Sequence, residues 1–158
     1  MRLSNDVGSR VMKLLLGLVV MFGMQAICLG EGQAVPFYAQ LIRGTDAEKP
    51  GKASWRPVGP KLSKQFGPKF RWKHYWEVNR QAVSVIPGKP TRIRLSAERE
   101  IEIELRGGAE YDIRLYTAGK LARSSRQKLE SRMSIMGGGI EATESWFIVV
   151  RRDPPTVE

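Results

Sequence analysis

Between residues 92 and 105 the chain alternates charge and hydrocarbon with a period of two. Ile93, Leu95, Ile101, Ile103 and Leu105 alternate with Arg92, Arg94, Glu100, Glu102 and Glu104. Successive side chains of an extended strand point to opposite faces, so this pattern demands two half-buried strands and excludes a helix. A three-residue connection at Ala97-Glu98-Arg99 predicts Ile93 opposite Ile103 and Leu95 opposite Ile101. On the other face it sets Arg94 against Glu102 and Arg92 against Glu104. A slip of one residue would turn every apolar side chain to solvent.

The same face continues beyond the turn at Arg106-Gly107-Gly108-Ala109. Tyr111, Ile113 and Leu115 are predicted opposite Leu105, Ile103 and Ile101, with Glu102 facing Arg114 and Glu104 facing Asp112. Arg92, Glu104 and Asp112 are thereby expected to form a small surface network. After Thr117-Ala118-Gly119, residues 120–128 are polar and basic and read as an edge strand, where charge discourages pairing with a foreign chain. Alternation resumes at Leu129, Met133 and Ile135, and Gly137-Gly138-Gly139 reads as a turn. Trp146-Phe147-Ile148-Val149-Val150 is apolar on both faces, as a doubly covered strand requires. The prolines at 154 and 155 end it.

Two further strands are expected earlier, at residues 36–42 and 71–78, the second extended past a bend by residues 83–86. Between them, residues 44–70 are rich in Gly, Pro and Lys and read as a long loop. It has room for one short helix at residues 61–66, with Pro60 in its first turn. Seven or eight short strands in one domain predict an all-β fold, an antiparallel β-sandwich of Ig-like general architecture, with a small β-barrel as the alternative.

Ahead of this domain, residues 1–34 have the layout of a secretory signal peptide. Arg2, Arg10 and Lys13 precede an apolar run at residues 14–24, and the small residues Gly30, Gly32 and Ala34 follow. Cuts before Val35 or before Glu31 both fit, and Met12 offers a second start. The run is short for a membrane span, which needs about 20 apolar residues. An uncleaved anchor and lipidation at Cys28 are the alternatives, although Ile27 stands where a lipoprotein signal wants a small residue. Residues 35–158 then form one domain with no cysteine and no Asn-x-Ser/Thr acceptor, which leans toward a bacterial periplasmic or secreted protein. At this length a domain buries roughly two-thirds of its extended-chain surface and needs no staple.

Charge narrows the partners. The chain has 26 Lys and Arg against 16 Asp and Glu, and residues 35–158 keep 23 against 14. Such an excess suits an anionic envelope polymer, lipid headgroups or another envelope protein. Export argues against nucleic acid, and the membrane is reached only through residues 1–34 if they are retained.

Catalytic signals are weak. His74 is the sole histidine, so one chain lacks the ligands for a usual Cys/His zinc site, and no cofactor is expected. Glu100, Glu102 and Glu104 share a strand face but each has an expected Arg partner. Gly137-Gly138-Gly139 lacks the Lys-Ser/Thr of a phosphate loop. Two binding surfaces are expected instead. One is the basic strand Lys120, Arg123, Arg126 and Lys128 with the tip Arg132, joined by Arg151-Arg152. The other lies in the aromatic-basic segment at residues 70–76. There alternation sets Trp72, His74 and Trp76 on one face, read as core, and leaves Arg71, Lys73 and Tyr75 for binding. The expectation is an exported, non-catalytic binding or assembly module that docks an anionic or protein partner through the basic edge strand and the loop at 44–70. The alternatives are a carbohydrate-binding or carbohydrate-acting domain using Trp72 or Tyr75 with Glu residues, and a purely structural envelope protein.

Overall fold

The structure is a computed structural model that describes residues 32–140 and 143–155. The signal segment through Glu31, with Cys28, lies outside the described residues. The domain is an antiparallel β-sandwich. Its strands are β1 (Val35–Thr45), β2 (Arg56–Pro57), β3 (His74–Val85), β4 (Thr91–Arg94), β5 (Arg99–Arg106), β6 (Glu110–Thr117), β7 (Lys120–Lys128), β8 (Met133–Ile140) and β9 (Glu144–Arg151). One helix, α1 (Pro60–Phe66), is described. The large sheet has the order β2-β3-β1-β9-β8 and the small sheet is the meander β4-β5-β6-β7.

The β5–β6 pairing has the expected register, with Leu105 opposite Tyr111, Ile103 opposite Ile113 and Ile101 opposite Leu115. The β4–β5 hairpin is shifted by two residues. Ile93 pairs with Ile101, Arg92 with Glu102 and Arg94 with Glu100. The cause is Ser96, whose hydroxyl accepts the Glu98 and Arg99 amides at 3.3 and 3.1 Å. That turn closes one residue early on each side, and Leu95 N–H donates to the Arg99 carbonyl. A shift of two preserves every face, so the apolar side remains inward.

Between the sheets lies one apolar core. Phe37, Ala39 and Leu41 of β1 and Trp146, Ile148 and Val150 of β9 meet Ile101, Ile103, Leu105, Tyr111, Ile113 and Leu115 of the small sheet. A second core lies on the outer face of the large sheet. There Ile42, Tyr75, Phe147 and Val149 are covered by Val58, Leu62, Phe66 and Trp72. β9 therefore has both faces buried, as its sequence demanded.

The expected loop at 44–70 is the lid of this second core. β1 extends through Thr45, and residues 46–73 cross the sheet with α1 as their one helical segment. Pro60 supplies a fixed φ at the helix start, and the Gly59 carbonyl accepts the Leu62 and Ser63 amides, both at 3.0 Å. Leu62 and Phe66, four residues apart, share the buried side. The Phe66 ring lies 4.8 Å from Tyr75, 5.2 Å from Phe147 and 5.3 Å from Phe70. Burying a Phe of this kind stabilises by about 1.5–3 kcal/mol.

Two other expectations are corrected. Gly137, Gly138 and Gly139 are strand residues, with Gly137 opposite Phe147 and Gly138 opposite Trp146. A Cβ on Gly137 would meet the Phe147 ring at 3.4 Å, so the glycine gives that ring its seat. The second early segment is one strand through Val85, in which Val78 is an extra residue between the Leu41–Asn79 and Ile42–Glu77 pairs.

Candidate functional site

The outer face of the small sheet neutralises itself. Arg94 pairs with Glu100 at 2.6 Å, and Arg92 reaches Glu100 and Glu102 at 3.8 and 3.7 Å. Arg114 bridges Glu102 and Glu104 at 2.7 and 2.8 Å. Arg106 bridges Glu104 and Asp112 at 2.8 and 2.9 Å. Arg126 closes the ladder, donating from Nε and Nη2 to the two Asp112 oxygens at 2.8 and 3.3 Å. These bonds, Arg126 first, hold the Asp112 carboxyl at about 2 against the opposing effect of burial. The expected Arg92–Glu104–Asp112 network is not formed, because the two-residue shift of β4 carries Arg92 away from Glu104. The three Glu side chains are thus committed to arginines.

The basic edge strand β7 does lie at the rim of its sheet, but its cations do not share a face. Arg126 and Lys128 pair with Asp112 and Glu110 on the outer side, whereas Arg123 lies across from Leu115 on the inner side. The extra residue at the register shift between Leu115 and Tyr116 puts Lys120, across from Thr117, on the same side as Arg123. Arg126 is spent on Asp112, and Lys128 reaches Glu130 at 3.9 Å. Lys120, Arg123 and Arg132 are exposed.

Of the second candidate surface, Tyr75 is corrected. It is 7 % exposed, packs in the outer core, and donates its hydroxyl to the Phe70 carbonyl at 3.2 Å; burial pushes its hydroxyl pKa up. Trp72 is buried in the same core, on the same side as Tyr75. The strand begins only at His74, so its alternation does not reach back to Trp72. Trp76 is half-buried, and His74 stacks on it with ring centroids 6.3 Å apart. Arg71 and Lys73 are exposed, and Arg71 lies 4.3 Å over the Trp72 ring. With Trp72 and Tyr75 both buried, the carbohydrate alternative loses the two rings on which it rested.

The cationic surface that remains is the lid of the outer core. Residues 46–73 hold Lys49, Lys52, Arg56, Lys61, Lys64, Lys69, Arg71 and Lys73 against only Asp46 and Glu48. All eight cations are exposed. Their apolar neighbours Val58, Leu62, Phe66 and Trp72 point down into the core. The sequence already marked the loop at 44–70 for docking, but its prolines and glycines hid that these residues form a packed layer over the sheet. Leu62 and Phe66 at helical spacing were the available signal.

Where the lid meets the end of β9, Lys61 donates to Asp153 at 2.9 Å. Asp153 also receives two bonds from Arg151, whose side chain is 3 % exposed. Arg151 foremost, then Lys61, hold the Asp153 carboxyl far below the usual carboxylate range. The adjoining cleft, about 360 Å³, is lined by Lys61, Leu129, Glu130, Arg132, Arg152 and Asp153.

No protein-family model, curated protein or solved structure matches the chain.

Proposed function

We propose that this chain is an exported, non-catalytic binding or assembly module of the cell envelope. It docks an anionic partner through the lid at residues 46–73 and the free cations of the β7 edge. One observation carries the reading: the positive excess is segregated. The outer face of the small sheet pairs its arginines with its own carboxylates, whereas the lid presents eight exposed cations against two acids. Clustered exposed charge of one sign raises the local concentration of an opposite polymer and its rate of encounter. Export is supported by the basic, apolar and small-residue order of residues 1–34. A cut before Val35 would leave β1 whole, since that strand begins at Val35.

Heparin is a suitable anionic probe. Lys64, Lys69 and Lys73→Gln together should lower the salt needed for elution, and Lys120, Arg123 and Lys128→Gln should lower it less. Retention unchanged in both triple variants would sink the reading.

A further inference from the structure

We propose that the cleft between α1, the β7–β8 connection and the end of β9 is a binding site for a phosphate ester. This rests on the anionic-partner reading and gives one subsite its chemistry. Three cations from separate elements line the cleft: Lys61, Arg132 and Arg152. Arg152 is oriented in advance. Its Nη1 donates to the Leu129 carbonyl at 2.8 Å, and its backbone amide donates to the Arg132 carbonyl at 3.4 Å. The remaining guanidinium N–H groups of Arg152 are left for a ligand. Arg132 is exposed and has no ion-pair or hydrogen-bond partner for its side chain among the described residues.

The two acids of the cleft do not cancel this charge. Asp153 is met by buried Arg151 as well as by Lys61. Glu130 is 78 % exposed, 3.9 Å from Lys128. Donors converging from three elements suit an anion with several oxygens in three dimensions better than a planar carboxylate. A volume of about 360 Å³ admits a phosphoryl group with a small attached residue.

The test uses the full-length chain and inorganic phosphate at constant ionic strength, read by the ¹⁵N resonances of the Arg132 and Arg152 side chains. Saturable shifts of both are expected. Arg132→Gln should weaken binding about tenfold through loss of one charge-assisted hydrogen bond. Arg152→Lys keeps the charge but not the oriented fork, so it should weaken phosphate binding while leaving heparin retention unchanged. Competition by soluble poly(glycerol phosphate) would assign the ester to a polymer. Flotation with phosphatidylglycerol vesicles, lost in Arg132→Gln, would assign it to a lipid headgroup. Absence of saturable shifts overturns the cleft even where the lid variants lose heparin. Saturable shifts in a chain that does not bind heparin uphold the cleft and overturn lid docking.

Discussion

Arg126 on the edge strand β7 lies directly across from Asp112 on β6 and grips both of its carboxylate oxygens, at 2.8 and 3.3 Å. A residue that reads as part of a docking stripe is therefore a fastener between two strands. Asp112 titrates at about 2 in the folded chain against about 3.9 for a free aspartate. A carboxylate lowered by folding stabilises the fold above the unfolded value, so this contribution is full above about pH 4. It is lost as pH falls through about 2. Urea midpoints measured from pH 6 down to pH 2 should drop over this window, and Asp112→Asn should flatten the drop. The same substitution should cost about 1–2 kcal/mol at neutral pH, because Arg106 and Arg126 lose the shared negative charge and one of its two acceptor oxygens.

Gly44 is where the outer core tolerates no side chain. A Cβ there would stand 2.5 Å from Trp72 Cδ1 and 3.1 Å from Phe147 Cε2. Gly44→Ala should displace the Trp72 ring and destabilise by about 1–3 kcal/mol. Denaturant unfolding gives the cost, and a red-shifted, more quenchable tryptophan emission identifies the ring.

Phe147 anchors that core from the sheet side, with ring centroids 4.5 Å from Phe70 and 5.2 Å from Phe66. Phe147→Ala should cost about 3–5 kcal/mol. Amide exchange should speed first in α1, since the lid loses its floor. Uniform acceleration across both sheets would show that lid and sandwich open as one unit.

A gain is available at the β6–β7 turn. Ala118 and Gly119 form the two-residue loop between Thr117 and Lys120, with φ of 49° and 76°. Two positive φ values mark a type I′ hairpin, which favours Asn-Gly. Ala118→Asn should stabilise by about 0.5–1 kcal/mol, because Asn tolerates the left-handed conformation that costs Ala about that much. Thermal unfolding checks it; an unchanged or lower midpoint would contradict the turn assignment.

What the sequence discloses depends on which residues speak locally. Ile101, Ile103, Tyr111 and Ile113 alternate so regularly that the β5–β6 register follows from them alone. The β4–β5 register does not, because it hangs on a single hydroxyl, that of Ser96, choosing where the turn closes. The lid is illegible for a different reason. Its seven-residue helix and two-residue strand owe their form to the core beneath them, above all to Phe147, which is distant in sequence. For the candidate site, the cations were legible as composition but their segregation was not. Arg126 and Arg123 fall on opposite sides of the sheet, and Arg132, Arg152 and Lys61 meet only because β8 and α1 begin where β9 ends.

Strand β9, the last of the described strands, pairs with β1, the first of them. Trp146, Ile148 and Val150 complete one core and Phe147 and Val149 the other, so neither can close before β9 docks. Until then the chain presents the unzipped edge of β1 and two open apolar beds. The two cores share one keystone strand, and each waits on β9 to close.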